Sequence, residues 1–260
     1  MTLLELRKVS HYYFSKKGYT KALEDIDLDV NPGEFISILG PSGCGKSTIL
    51  SIIGRLLKPT SGEVRIHGES IEKNDAEIGY MLQQDYLFPW KTVLENVLLG
   101  PKIQNRINPT IEVRAKKLLE EVGLGNVLHQ YPKELSGGMR QRAALVRTLI
   151  NNPEVFLLDE PFSALDFQTK LKLEDLVATI LKNYKKTAIL VTHDIGEAIA
   201  MSDRIIIMKA NPGRISKVYQ VPDELRKHSP MIARKHTAFQ PLFDTIWHEL
   251  EDKVKTEKLG

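Results

Sequence analysis

The sequence predicts an α/β fold in which a mainly parallel sheet is covered by helices on both faces, and three observations carry that prediction. Short, uninterrupted apolar runs at residues 35–39, 155–158, 188–192 and 204–208 alternate with stretches of helical spacing, as strands buried on both faces do. The first of these runs stops at a glycine-rich loop, Gly40-Pro41-Ser42-Gly43-Cys44-Gly45, which leads straight into a helical stretch. Residues from about 84 to 150 are mostly helical in pattern and fall between two pieces of the sheet, which makes them an insertion.

Each element has its own justification. Residues 3–14 and 23–30 alternate apolar and polar side chains, and the turn Asn31-Pro32-Gly33 follows them, so they read as half-buried strands. Residues 47–57 place Ile49, Leu50, Ile53, Leu56 and Leu57 at helical spacing, with Pro59 and Gly62 as the stop; residues 64–67 resume as a strand. Asn108-Pro109-Thr110 opens a helix with Ile111, Ala115, Leu118, Leu119 and Val122 on one face, ended by Gly123. A further helix runs from about 136 to 150 and stops at Asn151-Asn152-Pro153, and another spans about 167–183 between two buried strands.

Composition narrows the function classes. The 260 residues carry 36 Lys plus Arg against 33 Asp plus Glu, a net charge of +3 that is too small to point to nucleic acid or a membrane surface by itself. Cys44 is the only cysteine, which excludes an internal disulfide framework and a cysteine metal cluster and suits a reducing compartment. No apolar run approaches the roughly 18–20 residues of a membrane span, and the first residues lack the apolar core of a signal peptide. A soluble protein is expected.

Four constellations carry chemistry. Residues Gly40 to Ser47, followed by Thr48, fit the phosphate-loop pattern G-x-x-x-x-G-K-[ST]. The glycines let successive N–H groups turn inward toward phosphate oxygens, the helix N-terminus adds positive potential, Lys46 reaches the β- and γ-phosphates and Ser47 ligates Mg²⁺. Residues 155–160 end an apolar strand in Asp159-Glu160, placing two carboxylates at the sheet edge where ligands of open α/β sheets bind; Asp159 would hold Mg²⁺ and Glu160 activate water, against the alternative of a solvated acidic turn. Ser136-Gly137-Gly138 at a helix start can receive an anion, although alone it is an ordinary loop-to-helix junction. His193, just past the strand at 188–192, stands at the same edge, either as a γ-phosphate contact or as a structural histidine.

In this order and at these separations, the elements resemble the ATP-binding cassette (ABC) ATPases over about residues 3–220. The string Leu135-Ser136-Gly137-Gly138-Met139-Arg140-Gln141 is similar to that family's signature, Ser163-Ala164-Leu165-Asp166 to its D-loop, and His193 to its switch histidine. Gln83 resembles the Q-loop glutamine that reaches the metal and the reaction centre, with Gln84 its neighbour; Tyr13 resembles the aromatic that stacks on adenine, with Tyr12 and Phe14 beside it and a plain strand-face role equally open. The resemblance implies a RecA-like phosphate-loop core with an N-terminal antiparallel β-subdomain and an inserted helical subdomain at about 84–150, an ATPase domain over 1–220, and a helical tail over 221–260. It further implies ATP and Mg²⁺ as cofactors, with catalytic roles for Glu160, His193, Gln83 and Lys46 and metal contacts from Ser47, Gln83 and Asp159. Two copies would pair head to tail, each ATP lying between one copy's residues 40–48 and the other's Ser136, Gly137 and Gly138.

The run from Pro89-Trp90 to Asn96-Val97 is similar to importer ATPases of the nitrate, sulfonate and taurine group. That likeness implies integral-membrane permease subunits as partners, a separate solute-binding protein, no nucleic acid, and a place on the cytoplasmic face of the cell membrane. Exporter-type and permease-free relatives are the alternatives. Trp90 is read either as an anchor on the permease groove or as packing within the helical insertion. In the tail, Phe239, Leu242, Phe243, Ile246, Trp247, Leu250 and Val254 recur at amphipathic spacing. That stripe would pack on the chain's own core or meet a partner, while Arg234, Lys235, Lys253 and Lys255, mixed with Glu249, Glu251 and Asp252, only weakly suggest a membrane surface. Cys44 reads as a small filler whose thiol, beside the nucleotide, could confer sensitivity to alkylation.

Overall fold

The computed structural model describes residues 2–16 and 18–257, with side chains in the last helix as far as Glu251. Two sheets organise it. Strands β1 (Leu4–Ser15) and β2 (Gly18–Val30) form a long antiparallel hairpin. After β3 (Phe35–Leu39) and helix α1 (Lys46–Ile53), the chain returns to that hairpin with β4 (Ser61–Ile66) and the short β5 (Glu69–Ser70), giving a four-stranded sheet of order β2-β1-β4-β5. Strand β6 (Ile78–Met81) then leads into the inserted helices α2 (Val93–Val97), α3 (Leu99–Ile103) and α4 (Pro109–Glu121), a 3₁₀ turn at Pro132–Glu134, and α5 (Gly137–Leu149). The core resumes with β7 (Val155–Asp159), α6 (Phe167–Asn183), β8 (Thr187–Val191), α7 (Ile195–Met201), β9 (Arg204–Lys209) and β10 (Arg214–Gln220). Helices α8 (Asp223–Arg226), α9 (Pro230–Ala233) and α10 (Phe239–Glu257) make the tail.

The second sheet has the order β10-β9-β3-β8-β7-β6, parallel except for β10, which runs antiparallel on β9 at the edge. Its strands bury both faces with a period of two. Ile36, Ile38, Val155, Leu157, Ile189, Val191, Ile206 and Met208 point toward α1 and the antiparallel sheet. Phe156, Leu158, Ala188 and Leu190 point the other way, toward α5, α6 and the inserted helices, while Leu39, Ile205 and Ile207 meet α7 and α10. Burial on this scale, at about 25 cal/mol per Å² of apolar surface, is what holds the layers together.

Several elements differ from the sequence reading. The helix after the glycine loop ends at Ile53, not near residue 57: Gly54 closes it, Arg55 turns to a φ of 61°, and Leu56 is left exposed. Helix α7 and strand β10 carry weak patterns, the first short and interrupted by Gly196, the second exposed along most of its length. In the tail, Ile246 and Phe239 are buried against α7 and the sheet, and Leu242, Phe243 and Leu250 pack on the same cluster, whereas Trp247 stacks on Phe243 and stays half exposed. The side chains of Asp252, Lys253, Val254 and Lys255 lie outside the described residues.

Candidate nucleotide-hydrolysis site

The site lies where β3, β7 and β8 end side by side. Gly40 follows β3 so closely against β9 that a Cβ there would stand 2.8 Å from the Met208 carbonyl oxygen. Gly45 has a φ of 91°, and a Cβ there would stand 2.4 Å from Leu23 Cδ2; only glycine fits both demands. Between them Pro41 and Ser42 carry the loop outward, Gly43 turns at a φ of 78°, and Cys44 is fully buried, its N–H donating to the Pro41 carbonyl at 3.3 Å. Burial pushes the Cys44 thiol up, against the pull of the nearby Lys46 ammonium. A buried, protonated thiol is a poor nucleophile, so the structure does not support the expected sensitivity to alkylation. Lys46 folds back across the loop, Nζ donating to the Gly40 and Pro41 carbonyls at 2.8 and 2.9 Å.

The acids stand opposite this loop. Ser47 Oγ donates to Asp159 Oδ1 at 3.2 Å, joining α1 to the end of β7. Tyr80, from β6, donates its hydroxyl to Asp159 Oδ2 at 3.4 Å. Burial raises the Asp159 carboxyl while these two donors oppose the shift; burial and the facing carboxylate push Tyr80 up to about 12, so it stays a donor. Sequence reasoning missed Tyr80, whose one signal is a polar-tipped aromatic inside the apolar run before Gln83. Glu160 leaves the strand with a φ of 47°, its N–H still held by the Val191 carbonyl at 2.9 Å. That turn aims its carboxylate at His193, whose Nδ1 lies 3.3 Å from Oε2.

Among the described residues no hydrogen bond joins Gln83 to Ser47 or Asp159. The Gln83 amide nitrogen donates to Ser163 Oγ at 3.1 Å, and Ser163 Oγ donates in turn to the Glu160 carbonyl at 3.0 Å. The backbone on either side is tied to α5: Gln141 donates to the Gln83 carbonyl at 3.0 Å, Arg140 pairs with Asp85 at 3.0 Å, and Arg147 donates to the Asp85 and Tyr86 carbonyls at 2.6 and 2.7 Å. The loop carries on to Phe88 and Trp90, whose rings meet edge-on at 5.2 Å while Trp90 is 69% exposed.

Tyr13 reaches the phosphate loop from the hairpin, its hydroxyl 3.2 Å from Thr48 Oγ1. Tyr12, on the opposite strand face, stacks with Phe14 and meets Tyr19 at a tilt instead. Ser136 caps α5 by accepting the Met139 N–H at 3.3 Å. It is exposed, and Gly138 lies so near Thr169 that a Cβ would stand 2.5 Å from its methyl group. Among the described residues no hydrogen bond joins Ser136, Gly137 or Gly138 to residues 40–48.

A phosphate loop, an acid pair at the end of the adjoining strand layer and a histidine facing the second acid define a phosphate-loop nucleotide hydrolase. The comparisons make it particular. A family model described as ABC transporter matches residues 23–163. The ABC transporter ATP-binding protein YtlC of Bacillus subtilis (strain 168) is 56% identical over 258 residues, 99% of each chain. The taurine import ATP-binding protein TauB of Roseobacter denitrificans is 40% identical, covering 98% of this chain and 97% of its own. Among solved structures, the dimeric post-hydrolysis state of the ATP-binding cassette MJ0796 bound to ADP and Pi superposes with a TM-score of 0.75 at 35% identity, covering 85% of this chain and 99% of that one. The chain belongs to the ABC transporter family, and it is an ATP-binding ATPase.

Proposed function

We propose that the protein is the ATP-hydrolysing subunit of an importer, a homodimer that couples two shared ATP sites to a membrane permease at its cytoplasmic face. The solute would be a small organic or inorganic anion such as taurine, another sulfonate or nitrate, delivered by a separate binding protein. The observation that carries this reading is near full-length similarity to a taurine import ATP-binding protein. The exposed Trp90 supports it, because a large amphipathic ring left out of the core suits an interface anchor.

Within each site, Lys46 would leave its two carbonyls for the β- and γ-phosphate oxygens, and Tyr13 would offer its half-exposed ring to adenine. Ser47, Asp159 and Gln83 offer hydroxyl, carboxylate and amide oxygens, the hard donors that suit Mg²⁺; a bound Mg²⁺ supplies charge neutralisation at the phosphates. Glu160 would take the proton of the attacking water, and His193 would hold Glu160 and the γ-phosphate in line. Ser136, Gly137 and Gly138 would close the site from the other copy. The exposure of Ser136, and the absence among the described residues of a hydrogen bond from this segment to residues 40–48 of the same chain, favour that arrangement.

The shared site is tested by mixing. Ser136→Arg alone is expected to lower hydrolysis roughly 100-fold, a loss comparable to removing a preorganised transition-state contact. Adding Lys46→Ala subunits, which keep an intact Ser136, should restore measurable turnover; no restoration at any ratio would oppose head-to-tail sharing. The importer reading is tested by gentle capture of the tagged protein from solubilised membranes, with companions identified by mass spectrometry. A polytopic membrane protein at near-equal stoichiometry is the expected result. Capture of soluble companions alone would overturn the reading in favour of a permease-free ATPase.

A further inference from the structure

An ionic cluster built around two buried carboxylates, Glu174 and Glu197, lies directly behind His193, and the tail completes it. Lys170 of α6 donates to Asp194 Oδ2 at 2.7 Å, pairs with Glu197 at 3.0 Å and lies 3.9 Å from Glu174. Glu174 is fully buried on α6, and its close cationic partner is Arg234, which follows α9 and reaches its Oε2 at 2.6 Å. Arg234 passes over Gly196 of α7, where a Cβ would stand 2.5 Å from its NH1. Three carboxylates thus share two cations, and Arg234 brings the second.

We infer that Arg234 is a positioning residue for ATP hydrolysis: by holding Glu174, it leaves Lys170 free to fix Asp194 and hence the backbone that carries His193. The geometry is a short chain of contacts. One Asp194 oxygen caps α7 by accepting the Glu197 N–H at 3.0 Å, and the other takes the Lys170 ammonium. The Asp194 N–H is itself held by Thr192 Oγ1 at 3.0 Å. The His193 side chain is 66% exposed, so its aim at Glu160 depends on this backbone anchorage. Without Arg234, a fully buried carboxylate keeps only the more distant Lys170, and the ammonium is drawn from Asp194 toward it. The cluster has little reserve for that loss: burial already pushes the Glu197 carboxyl up to about 7 and raises Glu174, although Lys170 and Arg234 oppose the shifts.

The inference rests on the proposed role of His193, and the test separates the two. Steady-state ATPase parameters and thermal unfolding are measured on the full chain for Arg234→Gln, Arg234→Lys, Gly196→Ala and His193→Ala. Arg234→Gln is expected to lower kcat roughly ten- to a hundredfold, the cost of a small misplacement away from the chemistry, with KM for ATP within about twofold. Gly196→Ala, whose Cβ would crowd the guanidinium at 2.5 Å and Asp194 Oδ1 at 3.2 Å, should do the same by disturbing the cluster at both ends, and Arg234→Lys should retain at least about half of the wild-type kcat by keeping the charge. If Arg234→Gln fails to fold, the Gly196→Ala and Arg234→Lys pair carries the test. Wild-type kcat in both Arg234→Gln and Gly196→Ala, with His193→Ala inactive, overturns the inference alone; so does a loss that Arg234→Lys does not relieve. Wild-type turnover in His193→Ala instead overturns the role assigned to His193, and the inference with it.

Discussion

Glu160→Gln is expected to bind ATP and stop there, with hydrolysis reduced about 10²- to 10⁴-fold, the contribution of a positioned general base. The substitution is nearly isosteric, so the amide can still meet His193 at the 3.3 Å the carboxylate now keeps, and the positive φ of Glu160 is set by the Val191 bond to its backbone rather than by its charge. What would disappear is the basicity of the proposed base and one negative charge at the place proposed for the γ-phosphate. Both changes favour the ATP-bound state, so size-exclusion chromatography with ATP should show an accumulated dimer that ADP does not produce. Turnover at the wild-type rate would show that another group takes the proton.

Lys46→Ala should act at the preceding step. A charge-assisted hydrogen bond is worth about 1.5–3 kcal/mol, and at 1.4 kcal/mol per decade the loss in nucleotide affinity is about ten- to a hundredfold. The same side chain also satisfies the Gly40 and Pro41 carbonyls, so the truncated loop would lose an internal tie as well as the proposed phosphate contact. Lys46→Met, which keeps the aliphatic stem but not the ammonium, separates the packing of the stem from these two effects of the ammonium. Equal loss in both variants assigns the affinity to the charge; a much milder loss in Lys46→Met assigns part of it to packing. Unchanged affinity in both, read by titration calorimetry, would oppose the phosphate cradle.

How much of this was legible in the sequence follows from how local each feature is. The loop from Gly40 to Thr48 declares itself because its glycines, lysine and hydroxyl must be adjacent in the chain to surround a phosphate. Asp159-Glu160 and His193 were readable because each closes a continuous apolar run, and parallel strands bring such ends to one edge. Tyr80 was not, since its hydroxyl finds Asp159 79 positions further along the chain and its own strand offers only four residues of pattern. The pairing of Arg140 with Asp85 and of Arg234 with Glu174 likewise spans 55 and 60 positions, and neither partner stands out from ordinary charged surface residues. The early end of α1 escaped because Leu56 and Leu57 continue the helical period past the point where Gly54 and Arg55 break the backbone.

The loop after β6 is fastened at both ends of one short stretch: Gln83 to Ser163 beside the acid pair, and Asp85 and Tyr86 to the arginines of α5. Trp90 stands a few residues beyond, facing solvent. A partner seated on Trp90 would therefore act on the strip of backbone that Ser163 ties to Glu160, at the edge where a nucleotide among residues 40–48 would meet the acid pair. Any factor by which the partner changes nucleotide affinity must equal the factor by which the nucleotide changes partner affinity. The effect of the partner on ATP and of ATP on the partner are then two readings of one coupling free energy, and a substitution at Arg147 or Asp85 that reduces the first effect must reduce the second by the same factor.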